Sequence, residues 1–175
     1  MKPISFILFG FSLIIFQTTV LPFWFANLPG CDLMMLLVVY FGMYHELKVS
    51  MPTVLILGYV IDNLSSAPFG IYTSVYPWSL LIVHWMVNIL HSGNRLLIVF
   101  MPVVGLIIVN ALFWILLHVA QPGFQPPPGV GSTIGKQFLL TLIMGPVIIV
   151  LFEKIYSLSN RWLRKFKHRQ GRAQV

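Results

Sequence analysis

Apolar residues run along this chain in long blocks, not in the alternating pattern of half-buried strands or the one-faced pattern of soluble helices. Stretches free of Asp, Glu, Lys and Arg extend from Pro3 to Cys31, from Asn63 to Asn94 and from Leu96 to Gly135. Each exceeds the ~20 residues needed to cross a hydrocarbon core. Read against their polar and Pro/Gly punctuation, the blocks predict six helical spans: Pro3 to Ala26, Leu28 to Tyr44, Val49 to Leu64, Ile71 to Leu90, Leu96 to Ala120 and Ile134 to Tyr156. The second and third are short. At ~1.5 Å rise per residue they fall below a ~30 Å core, which places them inside a bundle or in locally thinned bilayer. A re-entrant hairpin is the alternative, but it would bury His45, Glu46 and Lys48 at its tip, at ~2.5–3.5 kcal/mol for a charged side chain at mid-membrane.

Composition agrees with this pattern. Of the 175 residues 58% are hydrophobic and 9% charged, with mean hydropathy +0.88, whereas a soluble domain carries about a quarter charged residues. The fold class expected is therefore all-α: a polytopic bundle of about six transmembrane helices over residues 1–156, followed by a basic tail over 157–175. Charge placement sets its orientation. With the amino terminus inside, the cytoplasmic segments hold Lys2, Lys48, Arg95, Lys154, Arg161, Arg164, Lys165, Lys167, Arg169 and Arg172, leaving only Lys136 outside. That split follows the positive-inside rule and places both termini in the cytoplasm. The first block ends in Phe23-Trp24-Phe25-Ala26 without the small-residue cleavage site of a signal peptide, so it reads as a retained helix. Cys31 is the only cysteine, which excludes an internal disulfide or thiolate metal cluster.

Ionisable groups inside a membrane are costly, so their positions are the best pointers to function. Asp32 follows Pro29-Gly30 at the start of the second helix, where a carboxylate caps backbone N–H groups. Asp62 stands beside Asn63 near the end of the third. It either hydrogen-bonds within the bundle or reaches water near Ser65 and Ser66, in an architectural, binding or relay role. His84, Asn88 and His91 share one face of the fourth helix, and Asn110, Trp114 and His118 share one of the fifth. These two stripes are expected to face each other or a partner through interhelical hydrogen bonds. Catalytic, cofactor and metal sites are not expected: H-E-x-x-H, G-x-S-x-G and phosphate-loop motifs are absent. An aspartyl mechanism would need Asp32 and Asp62 to share a proton. The segment Gln121 to Gly135, with Pro126-Pro127-Pro128, reads as a stiff outer loop.

The tail places Ile155, Leu158, Trp162 and Phe166 on one helical stripe, with Arg161, Arg164, Lys165, Lys167 and Arg169 around it. A basic amphipathic helix of this kind is suited to anionic lipid on the cytoplasmic leaflet. So close to a bilayer it is a poor partner for nucleic acid.

The run Gln17-Thr18-Thr19-Val20-Leu21-Pro22, then Pro29-Gly30-Cys31-Asp32 opening an aliphatic helix, then Gly58-Tyr59-Val60-Ile61-Asp62, then Ala67-Pro68-Phe69-Gly70 resembles the rod shape-determining membrane protein MreD family in order and spacing. The resemblance covers residues 17–70, and Cys31 stands where that family has Pro before the Asp. It implies a non-enzymatic, multi-pass subunit of the cell-wall elongation machinery in the bacterial inner membrane, supporting cell shape and lateral peptidoglycan synthesis. An MreC-like scaffold, an MreB-like filament and peptidoglycan synthases are the implied partners. Gln17, Pro22, Asp32, Gly58, Asp62, Pro68 and Gly70 are the implied motif or docking positions. The alternative is the substrate-binding membrane subunit of an energy-coupling-factor vitamin transporter. Such subunits carry an Ala-x-x-x-Ala face on the first helix, and this one holds a single alanine, Ala26.

Overall fold

The computed structural model describes residues 3–20, 32–90, 95–126 and 129–172, with side chains described over 6–20, 32–90, 99–126 and 129–155. The described residues form six helices and no strands: α1 (Pro3–Ile15), α2 (Leu33–Tyr44), α3 (Leu47–Leu64), α4 (Ile71–Ile89), α5 (Arg95–Ala120) and α6 (Val130–Arg172). A π-helical turn, Phe16–Val20, continues α1. Three segments are long and apolar enough to cross a membrane, Leu47–Leu64, Val99–Ala120 and Val130–Ile155. Phe6–Val20 and Leu33–Tyr44 are apolar but shorter. The chain also turns where the punctuation places breaks, at residues 45–46, 65–70 and 121–126, and the expected loop Gln121 to Gly135 is shorter than predicted because α6 begins at Val130.

The short second helix is the centre of the molecule. Every residue from Leu33 to Gly42 is buried, and α2 packs against all five other helices. Its sequence requires this, since a helix apolar on every side has no face to turn to water and packs wherever neighbours surround it. At 12 residues it rises only ~18 Å, and its neighbours, not lipid, meet both its ends. Phe6 of α1 packs edge-on to Phe41, Phe152 of α6 packs on Tyr40, and Gly105 of α5 receives the Val39 side chain where a Cβ would not fit.

The periphery is the opposite. Trp78, Trp85, Ile107, Ile115, Leu139, Ile143, Val147 and Leu151 stand more than half exposed. Contiguous apolar surface of that extent suits hydrocarbon and not water. In lipid, dispersion and close backbone approach hold helices together, because tails solvate leucine as well as a neighbouring helix does. The last helix continues past Tyr156 to Arg172 without a break, so the tail is an extension of that span. The side chains of Arg161, Trp162, Arg164, Lys165, Phe166, Lys167 and Arg169 lie outside the described residues.

A candidate functional site at the start of α4

Gly70 occupies the N-cap position of α4 with φ of 97°, a left-handed conformation open to glycine, and has no side chain to cap with. The free N–H groups of the first turn are met from the preceding helix. Asp62 Oδ1 accepts from Tyr72 N–H at 2.8 Å, Oδ2 accepts from Thr73 N–H at 2.9 Å, and the Thr73 hydroxyl also donates to Oδ2. Asp62 is 3% exposed. One turn earlier on the same face of α3, a Cβ added to Gly58 would come within 3.0 Å of Thr73 Cα and the Tyr72 carbonyl oxygen. Gly58 and Asp62 therefore serve one junction: the glycine lets the α4 backbone approach, and the carboxylate caps it. Pro68 closes the turn, its carbonyl accepting from Ile71 N–H at 3.4 Å. Among the two roles the sequence leaves open for Asp62, this geometry is the architectural one.

Asp32 caps α2. Its Oδ1 accepts from the N–H groups of Met34 and Met35, both at 3.1 Å. The other side of the carboxylate meets the Tyr76 hydroxyl of α4 at 3.4 Å from Oδ2. Gln17 lies in the π turn that ends α1. Thr18 helps hold it, its hydroxyl donating to Ile14 O at 2.9 Å and Ile15 O at 3.3 Å. Tyr76 is wholly buried and stacks against Tyr72 at 5.5 Å, and Tyr72 stacks against Phe113 of α5 at 5.5 Å. Phe113, Trp114 and Phe124 extend the aromatic contacts into the segment that follows α5, residues 121–126.

Gln17, Asp32, Gly58, Asp62, Pro68 and Gly70 are thus all placed at the α2–α4 end of the bundle. Pro22 lies outside the described residues. Tyr72, Thr73 and Tyr76 complete the arrangement and went unmarked in the sequence. Their available signal was position: the first turn after a left-handed glycine needs acceptors, and Tyr76 follows Tyr72 at i+4 on the same face. The two carboxylates hold different helix starts and share no hydrogen bond with each other, so the shared-proton geometry of an aspartyl mechanism is not formed. No group of three or more His, Cys, Asp or Glu side chains converges among the described residues.

Of the two alternatives for the polar stripes of α4 and α5, each other or a partner, the structure does not show the first. Tyr72 meets Phe113, and in that antiparallel register His84 and Asn110 lie about nine residues apart along the axis, roughly 14 Å. His84 instead turns to α2, its Nδ1 at 3.2 Å from the Gly42 carbonyl; that oxygen only accepts, so Nδ1 carries the proton. Asn110 donates to Leu106 O at 2.9 Å on its own helix, Asn88 and His118 are exposed, Trp114 packs among the aromatics, and His91 lies outside the described residues. Compared with known proteins, the chain matches no protein-family model, no curated protein and no solved structure.

Proposed function

We propose that this chain is a non-enzymatic, multi-pass subunit of the bacterial cell-wall elongation machinery, an MreD-like protein of the inner membrane. In this reading six helices cross the bilayer, both termini are cytoplasmic, and the protein works by presenting a fixed surface to other proteins. One observation supports it above others: the described motif residues, all but Pro22, lie at one end of the bundle, and Asp62 is spent there on the α4 backbone. A side chain committed to capping supports architecture and partner presentation more than chemistry. The almost uncharged loops at this end, with Phe69 65% exposed, suit a packed contact with an MreC-like scaffold. The basic tail suits anionic lipid and a cytoplasmic partner such as an MreB-like filament, through contacts that weaken with salt.

Affinity purification of the tagged chain from native membranes is the test. Recovery of an MreC-like scaffold is expected; recovery of a coupling subunit with ATPases in its place would overturn the reading in favour of vitamin transport. Reporter fusions after Lys48, Arg95 and Val175 should read cytoplasmic and those after Pro68 and Pro127 external, and an external carboxyl terminus would refute the six-span topology.

A further inference from the structure

One face of α5 stays open along three turns. Val99–Ala120 is the most apolar of the three segments able to cross a membrane, and Asn110 stands near its middle. On this face Ile107 is 56% exposed, Ala111 and His118 are exposed, and Asn110 and Trp114 are half-buried. Positions 107, 110, 111, 114 and 118 follow the i, i+3, i+4, i+7, i+11 spacing of a single helical stripe. The sequence leaves Asn110, Trp114 and His118 to face either α4 or a partner, and among the described residues no α4 group bonds to Asn110 or His118.

This face differs from the exposed side of α6, where Leu139, Ile143, Val147 and Leu151 present only hydrocarbon. It holds a carboxamide at mid-depth. One Nδ2–H of Asn110 donates to Leu106 O at 2.9 Å. A carboxamide has a second N–H and an acceptor oxygen, and no described residue pairs with either. Asparagine is too short to carry these groups from the middle of a bilayer to water, as a long side chain can. Left in hydrocarbon they are costly, whereas a facing helix that bonds them turns them into a directional contact.

We propose that this face of α5 binds the same face of a second copy of the chain, forming a parallel two-fold dimer within the bilayer. Its chemistry selects a second copy over a different partner. All copies insert in one orientation, so a two-fold axis along the membrane normal sets Asn110 opposite Asn110 at its own depth. Two carboxamides are mutually complementary, each donating an N–H to the other's Oδ1. His118, two turns on along the stripe, repeats this through the donor and acceptor of a neutral imidazole, so any other partner must match both depths, ~12 Å apart. No Lys, Arg, Asp or Glu lies between Leu96 and Gly135, so the spans of two copies do not repel. Ala111, small and exposed beside Asn110, lets the backbones approach. Such a dimer requires only that Val99–Ala120 cross a bilayer and is independent of the MreD-like reading.

Energy transfer between donor- and acceptor-labelled copies of the full-length chain in liposomes tests this, followed over a range of protein-to-lipid ratios. Transfer above the level of chance proximity is expected. Asn110→Leu should raise the dissociation constant roughly tenfold, and Asn110→Gln, which keeps the amide, should restore most of the association. Asn110 bonds only within its own helix among the described residues, so the leucine variant should keep its unfolding midpoint. In a Cys31→Ser background, oxidation should link Ile107→Cys copies into a covalent dimer and leave Leu139→Cys copies, altered on α6, monomeric. If Asn110→Leu does not fold, the two cysteine variants decide the matter alone. Transfer at the chance level would overturn the proposal, as would association that Asn110→Leu leaves unchanged or crosslinking that runs equally well through α6. A chain that is monomeric in liposomes, yet loses a native-membrane partner in Asn110→Leu, would also overturn it, by assigning the face to another protein's helix.

Discussion

The two ends of the central bundle are fastened by different physics. At the start of α4, backbone N–H groups that no helix turn can satisfy are held by a carboxylate from α3, with Gly58 setting the approach. At the other end, where α2 passes into α3, His45 sits among rings: Phe6, Tyr40 and Phe41 have centroids 4.8, 5.4 and 5.6 Å from its own. The first fastening is directional and has no substitute, because a buried N–H without an acceptor loses its bond and gains nothing. The ring contacts of the second are individually weak, and any one of them can be replaced by a side chain of similar shape. Two ends of one bundle can thus look equally well packed and differ sharply in what they tolerate.

Breaking the directional end should cost the most. Asp62→Leu leaves the N–H groups of Tyr72 and Thr73 unpaired in the interior, a loss of about 2–6 kcal/mol at roughly 1–3 kcal/mol per orphaned group. Membrane abundance of the variant and its recovery of a scaffold partner should both fall; normal values of both, with normal cell shape in a complemented strain, would show that the cap is dispensable. Asp62→Asn keeps one acceptor oxygen and should recover part of the loss, which separates capping from mere packing.

A smaller effect is expected from Gly58→Leu. The new side chain meets backbone, not a flexible side chain, at Tyr72 and Thr73, so α4 must move, at about 1–3 kcal/mol of overpacking. Unfolding temperature in detergent should fall, and Gly58→Ala should fall less. If leucine left the midpoint unchanged, the close approach of α3 and α4 would not be a constraint.

The aromatic end should show itself through pH. Burial first, and then the positive amino terminus, hold the His45 pKa below its ordinary 6.5. The unfolded chain therefore takes up a proton before the folded one does. Stability from a neutral His45 is complete above about pH 6.5 and is lost as the pH falls toward the folded value. A modest decline in unfolding temperature between pH 7 and pH 5 is expected, flattened in His45→Phe, which keeps the ring contacts. An equal decline in the variant would assign the pH response to another group.

Least affected in stability should be the chain with Arg161, Arg164, Lys165, Lys167 and Arg169 all changed to Gln. These positions lie beyond the packed ends altogether, on the continuation of α6. Binding to vesicles rich in anionic lipid should drop several-fold at low salt and converge with the unaltered chain at high salt, while the unfolding midpoint stays within a degree or two. Undiminished vesicle binding would remove the tail from any lipid role.

Much of this architecture is written in local chemistry. Long uncharged blocks and the Pro, Gly and charged residues between them set the order of six helices and, to within a few residues, the bounds of α3, α4 and α5, while α6 runs on to Arg172, well past the expected end at Tyr156; a helix that satisfies its own backbone is the form an apolar stretch takes away from water. The capping role of Asp32 was legible for the same reason, because its partners, Met34 and Met35, are two and three residues away. What the sequence left open was every relation across the bundle. Asp62 finds its partners ten and eleven residues on, in the next helix, and whether it met them or water depended on how closely α3 and α4 approach. Whether His84 and Asn110 face each other was not legible, because facing stripes require a common depth, which is set by the antiparallel register of α4 and α5 and not by the spacing within either. Gln17 sits in a π turn that ends α1, a distortion no hydropathy pattern carries. Short-range bonds belong to the chain itself; depth, register and close approach exist only once the helices have packed.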